Sequence, residues 1–146
     1  MNIIQYIHDT LQAAGVRMIY GDPWQLNIAL GEIDFSAEPS NMVAYCYLLR
    51  DTSTTNGAET AQIAVFFASL CDFDFDPMQV LAEQERLKRA AKTALLGAVV
   101  TDNKYGVSGE AWQYGYNDYA ENVCWVAFRA TFTALSVECV TGGGDD

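Results

Sequence analysis

Met42-Val43-Ala44-Tyr45-Cys46-Tyr47-Leu48-Leu49 and Ala61-Gln62-Ile63-Ala64-Val65-Phe66-Phe67-Ala68-Ser69-Leu70 are the two runs on which the fold turns. Both have strand length, well short of the roughly 20 apolar residues a membrane span needs. The first is apolar on both faces, with Val43, Tyr45, Tyr47 and Leu49 against Met42, Ala44, Cys46 and Leu48. A strand of that kind is covered on both sides and lies inside its sheet. Between the runs, residues 51–60 carry Thr52-Ser53-Thr54-Thr55-Asn56-Gly57, a solvated loop longer than a tight hairpin needs. The two runs are therefore predicted to pair antiparallel.

Downstream, residues 71–76 read as a loop and Asp76 opens a long helix. Asp76 suits the N-cap, Pro77 the first helical position and Gln79 the capping-box position. The helix is predicted to run through Leu95, with Val80, Leu87, Ala91, Ala94 and Leu95 facing inward. Glu83 and Glu85 precede Arg86, Lys88, Arg89 and Lys92, the order that complements the helix dipole. Residues 101–110 are polar and glycine-rich. Trp112, Tyr114 and Tyr116 then alternate with polar or small residues, and residues 123–140 form the longest extended stretch. Unbroken, that stretch would span about 60 Å at ~3.3 Å per residue, so a bulge or bend is expected near residues 130–133.

Upstream, Ile3, Ile4, Ile7 and Leu11 share one face of a short helix that Gly15 stops. Residues 16–20 read as a strand ending at the turn Gly21-Asp22-Pro23. Trp24, Leu26, Ile28 and Leu30 alternate with Gln25, Asn27 and Ala29, which reads as a half-buried strand. The predicted fold class is α+β: a mixed, mostly antiparallel sheet with one long helix packed across a face and a short N-terminal helix beside it. Residues 1–140 are expected to form a single domain and residues 141–146, including Gly142-Gly143-Gly144-Asp145-Asp146, a flexible C-terminal tail.

Composition bounds the function. Of 146 residues, 51% are apolar and 18% charged, which excludes a disordered chain. A net charge of −11 argues against a sequence-independent nucleic-acid binder, which needs clustered Lys and Arg. The N-terminal Met1-Asn2-Ile3-Ile4-Gln5-Tyr6-Ile7-His8-Asp9 has no basic region or small-residue cleavage site, so neither a secretory signal nor a membrane partner is expected. Cys46, Cys71, Cys124 and Cys139 are widely spaced and read as buried free thiols in a reducing cytoplasm.

His8 sits on the polar face of its helix without the partner or pocket that acid–base catalysis needs. Asp72, Asp74, Asp76 and Glu83 fall at positions one, three, five and twelve of a calcium loop, yet Pro77 stands where that loop needs Gly. The match is read as coincidence plus helix capping, and no metal or cofactor is expected. Arg86, Lys88, Arg89 and Lys92 read as a solvated face, with docking onto the acidic surface of a neighbouring subunit as the second reading. Trp112, Tyr114, Tyr116, Tyr119 and Trp125 lack the positive groove of a base-stacking platform. Packing is their first reading, a protein contact the second and carbohydrate binding the third.

The order of elements carries a resemblance. A short N-terminal helix, Val16-Arg17-Met18-Ile19-Tyr20 running into Gly21-Asp22, two strands around a polar loop, a helix opening at Asp76-Pro77, and a terminal strand pair through Phe128-Arg129-Ala130-Thr131-Phe132-Thr133-Ala134-Leu135-Ser136-Val137 together resemble the tail-terminator and tail-completion proteins of tailed bacteriophages. The resemblance covers roughly residues 1–140 and is one of pattern and size. It implies a non-enzymatic structural virion protein at the tail end or head–tail junction. Such a protein forms a homo-oligomeric ring that caps the tail tube, with tail-tube and head-connector proteins as partners. It is made in the bacterial host cytoplasm, and DNA meets it only as a passing genome. Thr54 and Asn56 of the long loop then become interface candidates, beside Trp112, Tyr114, Tyr116, Arg86 and Arg89. The alternative is a small-ligand-binding α+β module or a small cytoplasmic enzyme. It would need convergent polar groups in an apolar cleft near Tyr45, Cys46 and Tyr47.

Overall fold

The computed structural model describes residues 3–51, 59–71, 76–117 and 122–135. The chain runs α1 (Ile3–Ala13), β1 (Arg17–Tyr20), α2 (Leu26–Gly31), β2 (Val43–Asp51), β3 (Thr60–Leu70), α3 (Pro77–Ala91), α4 (Gly97–Asp102), β4 (Tyr105–Tyr116) and β5 (Val123–Ala134). The five strands form one sheet in the order β1-β2-β3-β5-β4. β1 and β2 pair parallel, and every other pair is antiparallel. The predicted α+β class and the pairing of the two opening runs both hold. A parallel neighbour cannot be reached by a hairpin, and residues 21–42 supply the crossover between β1 and β2.

Strand alternation divides the interior into two clusters. On one face Ala44, Cys46, Ile63, Val65, Phe67, Val126, Phe128 and Phe132 pack against Ile7 and Leu11 of α1, Leu87 and Ala91 of α3, and Leu95 and Val99 beyond it. On the other, Val43, Tyr45, Tyr47, Phe66, Ala68 and Trp125 meet Leu26 and Leu30 of α2 and Phe35. The long helix is capped as expected, with the Asp76 side chain accepting from Met78 N and Pro77 in the first turn. It continues past Ala91 through a π-helical turn, Lys92–Leu96, into α4. The buried positions Leu87, Ala91, Leu95 and Val99 step by four. A 3.6-residue helix would rotate such a row off the core, and the wider π turn lets it stay facing the sheet.

Four expectations are corrected. Residues 24–30 are not a strand: Pro23–Gln25 form a 3₁₀ turn and Leu26–Gly31 the helix α2. Pro23 fits a first helical turn, and Gln25 accepts a hydrogen bond from the Asp22 backbone at 3.3 Å. Leu26 and Leu30 then lie four apart on the buried side while Trp24 and Ile28, also four apart, face outward. Two helical rows offset by two residues imitate alternation.

The long stretch from Val123 ends as a strand at Ala134, and its register with β3 is unbroken from Val123 to Thr133. The expected bulge sits instead in its partner β4, between Ser108 and Ala111. There Gly109 adopts φ +68°, a conformation glycine takes without a Cβ clash. The extra residue switches parity, so Tyr105 and Val107 before it and Trp112 and Tyr116 after it share one face. For the same reason residues 105–110, read as a polar connection, are strand.

The cysteines are corrected too. Cys71 and Cys124 form a disulfide, with Cα atoms 5.6 Å apart. The β3–β5 register places Ser69 opposite Cys124, and Cys71 N donates to Asn122 O. A 53-residue separation hides that proximity in the sequence. Cys46 is a buried free thiol. Cys139 and the C-terminal tail lie outside the described residues.

Candidate assembly interface

Among the described residues no strand lies beyond β1 or beyond β4, so the sheet has two open edges of different character. β4 supplies a 12-residue edge. Its aromatic row meets the basic cluster of α3, but only half of that cluster. Lys88 Nζ lies 5.3 Å from the Trp112 ring and 5.7 Å from the Tyr114 ring, and Lys92 Nζ lies 5.9 Å from Trp112. These are cation–π distances. Tyr114 donates its hydroxyl to Glu85 at 3.1 Å, and the buried Gln84 donates to Gly115 O at 2.9 Å, fixing the strand under the helix. Trp112 also packs on Phe128, with ring centroids 5.1 Å apart, and Tyr116 packs against the core.

Arg86 and Arg89 point the other way. Arg86 binds Glu83 with two nitrogens, at 2.9 and 2.7 Å, and Arg89 is exposed. Both line an open groove of about 480 Å³ whose apolar wall includes Val16, Met42, Ala90 and Ala94. The interface candidates therefore separate into a β4 group, Trp112, Tyr114 and Tyr116, and an opposite group, Arg86 and Arg89. Thr54 and Asn56 lie outside the described residues.

The β1 edge is short, four residues, but it is flanked by apolar surface. Tyr20 is 53% exposed, Trp24 74% and Ile28 58%. Ile4, Gln5, His8, Met18 and Tyr20 line an open groove of about 350 Å³ between α1 and the strand. Sequence reasoning missed Tyr20, Trp24 and Ile28 because a strand at residues 24–30 turns Trp24 and Ile28 inward. The signal was present in the capping residues Asp22-Pro23 and Gln25.

The titratable groups inside the fold act as ties. Tyr6 donates to Asp102 at 2.9 Å and Tyr105 to Glu59 at 3.2 Å, with the two rings 4.8 Å apart. Burial, then the facing carboxylate, pushes each phenol up to about 12, so each stays a donor. Burial also pushes the Cys46 thiol up to about 12, away from the thiolate form a nucleophile requires. The Tyr45 hydroxyl donates to Asp22 O at 2.8 Å.

Of the calcium-like set, Asp72 and Asp74 lie outside the described residues. Asp76 caps α3, and Glu83 is held by Arg86 and Ser69. Burial opposes the charged form of Glu83, but those hydrogen bonds outweigh it and keep the carboxyl below its ordinary value. Among the described residues no three His, Cys, Asp or Glu side chains are grouped to hold a metal ion. Likewise, no helix among them is long and apolar enough to cross a membrane.

Comparison with protein-family models and with curated proteins finds no match to this sequence.

Proposed function

We propose that this protein is a structural component of a phage virion. It acts at the tail end or head–tail junction by forming a homo-oligomeric ring that caps or completes the tail tube. The observation that carries this reading is the pair of unlike open sheet edges, β4 at one side and β1 at the other. An open edge presents unpaired backbone donors and acceptors that a neighbouring strand satisfies. Two unlike edges on one chain join head to tail, and a head-to-tail contact closes into a ring when its rotation permits. The element order of the tail-terminator proteins supports the same reading. A net charge of −11 suits a channel wall that must not hold DNA. The partners are then tail-tube and head-connector proteins, and the place of action is the virion.

Sedimentation velocity and negative-stain microscopy of the purified protein, alone and mixed with a phage tail-tube protein, test the proposal. The expected result is a closed ring, alone or on tube ends. A strict monomer that also fails to join the tubes overturns it.

A further inference from the structure

Resting on the oligomeric reading above, we infer that the Trp112–Gly115 segment of β4 pairs antiparallel with β1 of a second copy, so that one sheet continues from subunit to subunit. The strand registers place these two segments level. Arg17 aligns through Val43, Ala68 and Trp125 with Gly115, and Met18 through Ala44, Phe67 and Val126 with Tyr114. Ile19 aligns through Tyr45, Phe66 and Ala127 with Gln113, and Tyr20 through Cys46, Val65 and Phe128 with Trp112. A second copy that continues the sheet without shear therefore brings its β1 onto the part of β4 that follows the bulge.

Direction agrees. β2 runs with β1, β3 against β2, β5 against β3 and β4 against β5, so β4 runs opposite to β1. Copies kept in one orientation along the sheet thus meet as an antiparallel pair. The facing side chains suit each other: Met18 falls opposite Tyr114 and Tyr20 opposite Trp112, on the side of the sheet that carries α1 and α3. Thioether–aromatic and aromatic–aromatic cross-strand pairs are favourable.

Charge is one ground for the second copy's β1 rather than its β4. The β4 edge carries Lys88 and Lys92 over its rings, with Glu85 accepting from Tyr114 and Glu110 from Trp112. Of the acids in residues 1–42, Glu32 and Asp34 belong to the α2 side of the sheet and Glu38 is ion-paired with Arg17 of β1, which leaves Asp9 and Asp22 near the β1 edge. Asp9 is an α1 residue hydrogen-bonded to His8, which lines the groove beside β1, and Asp22 follows Tyr20 closely in the chain. Head-to-tail pairing brings the second copy's α1, with Asp9, to the side of the sheet that carries the two lysines. A two-fold β4–β4 pairing centred on Gln113 would instead bring both copies' Lys88 together over the same rings, which like charge opposes.

Cross-linking between singly substituted chains tests the inference. Ile19→Cys and Gln113→Cys are made in separate Cys139→Ser chains, mixed, and treated with a short bis-maleimide. A second pair, Tyr20→Cys with Trp112→Cys, reads the same register on the other face if one variant of the first pair fails to fold. The expected result is a band at twice the 16.1 kDa chain mass in each mixture and none from any variant alone. Cross-linking of Gln113→Cys with itself would overturn the inference in favour of a two-fold pair. Oligomers seen by sedimentation with no cross-link in either mixture would overturn this edge assignment while leaving the ring reading standing. A protein that stays monomeric throughout, without the tube or with it, would overturn both.

Discussion

The two faces of the sheet are covered unequally. One lies under α1 and the continuous rod from α3 to α4, and its apolar row runs the length of β5 from Cys124 through Val126, Phe128 and Ala130 to Phe132. The other lies under the six-residue α2 and its flanking 3₁₀ turns. Its β5 row is buried at Val123, Trp125 and Ala127, and then turns to exposed Arg129 and Thr133 with half-buried Thr131 between them. Among the described residues a short helix covers half of this face, and the strand becomes polar beyond it. The lesson is that burial on the first face is a global property of the fold, whereas on the second it depends on one local element.

The sharpest way to break that comparison is Phe128→Ala. Phe128 is fully buried under the long rod and packs against Phe67 and Trp112. Its loss should cost about 3–5 kcal/mol in urea unfolding, through lost transfer energy and the cavity left behind. A cost below 1 kcal/mol would mean that the rod does not close over this face. Next comes the cross-link that ties β3 to β5. By loop-closure entropy, a bridge across 53 residues stabilises by about 4 kcal/mol, an upper figure when the unlinked chain retains structure. Cys71→Ser with Cys124→Ser should therefore lower the melting temperature markedly, and a thiol reductant should reproduce the shift in the unsubstituted protein but not in the double variant.

Leu30→Ala tests the other side. Leu30 is the inward anchor of α2, and its truncation should cost about 2–3 kcal/mol. The signature should be local. Amides of residues 22–38 should exchange faster while those of β5 keep their protection, because only one small element loses its hold. Equal acceleration in β5 would make α2 part of the global unit and erase the contrast between the faces.

This same element marks where sequence reading stopped. β2 and β3 were legible because runs apolar on both faces have few other uses in a chain of this size. The opening of α3 was legible because Asp76 and Pro77 are local signals. α2 was missed because Trp24, Leu26, Ile28 and Leu30 satisfy two periodicities at once, and only tertiary packing decides between them. The bulge at Gly109, the Cys71–Cys124 pair and the level alignment of β1 with residues 112–115 are properties of register, which no single segment contains. Trp112, Tyr114 and Lys88 were each visible as candidates. That Lys88 lies over the two rings while Arg86 and Arg89 face the opposite groove depends on how α3 is rotated over the sheet.

The long-helix face also predicts an alkaline limit. Tyr6 and Tyr105 join α1, α4, β4 and Glu59 on that side, and both phenols have folded values of about 12 against 10.0 for a free one. A raised folded pKa means that their contribution is complete below pH 10 and is lost as pH rises through 12. Ultraviolet titration of tyrosinate, followed alongside circular dichroism, should show these two ionising only as the fold is lost. Ionisation of all eight tyrosines near pH 10 with the fold intact would show that neither phenol ties the fold.

The smallest expected effect lies on the uncovered half of the second face. Arg129 is exposed there, between Ala64 of β3 and Ala111 of β4. An exposed strand residue flanked by alanines has little to lose, so Arg129→Ala should change monomer stability by no more than about 0.5 kcal/mol. Measured across a range of protein concentrations, the same substitution also asks whether a second copy covers this surface. A cost that stays below that figure at every concentration leaves the uncovered half in solvent. A cost that grows with concentration places it in a contact between copies, and the inequality of the two faces would then belong to the isolated chain alone.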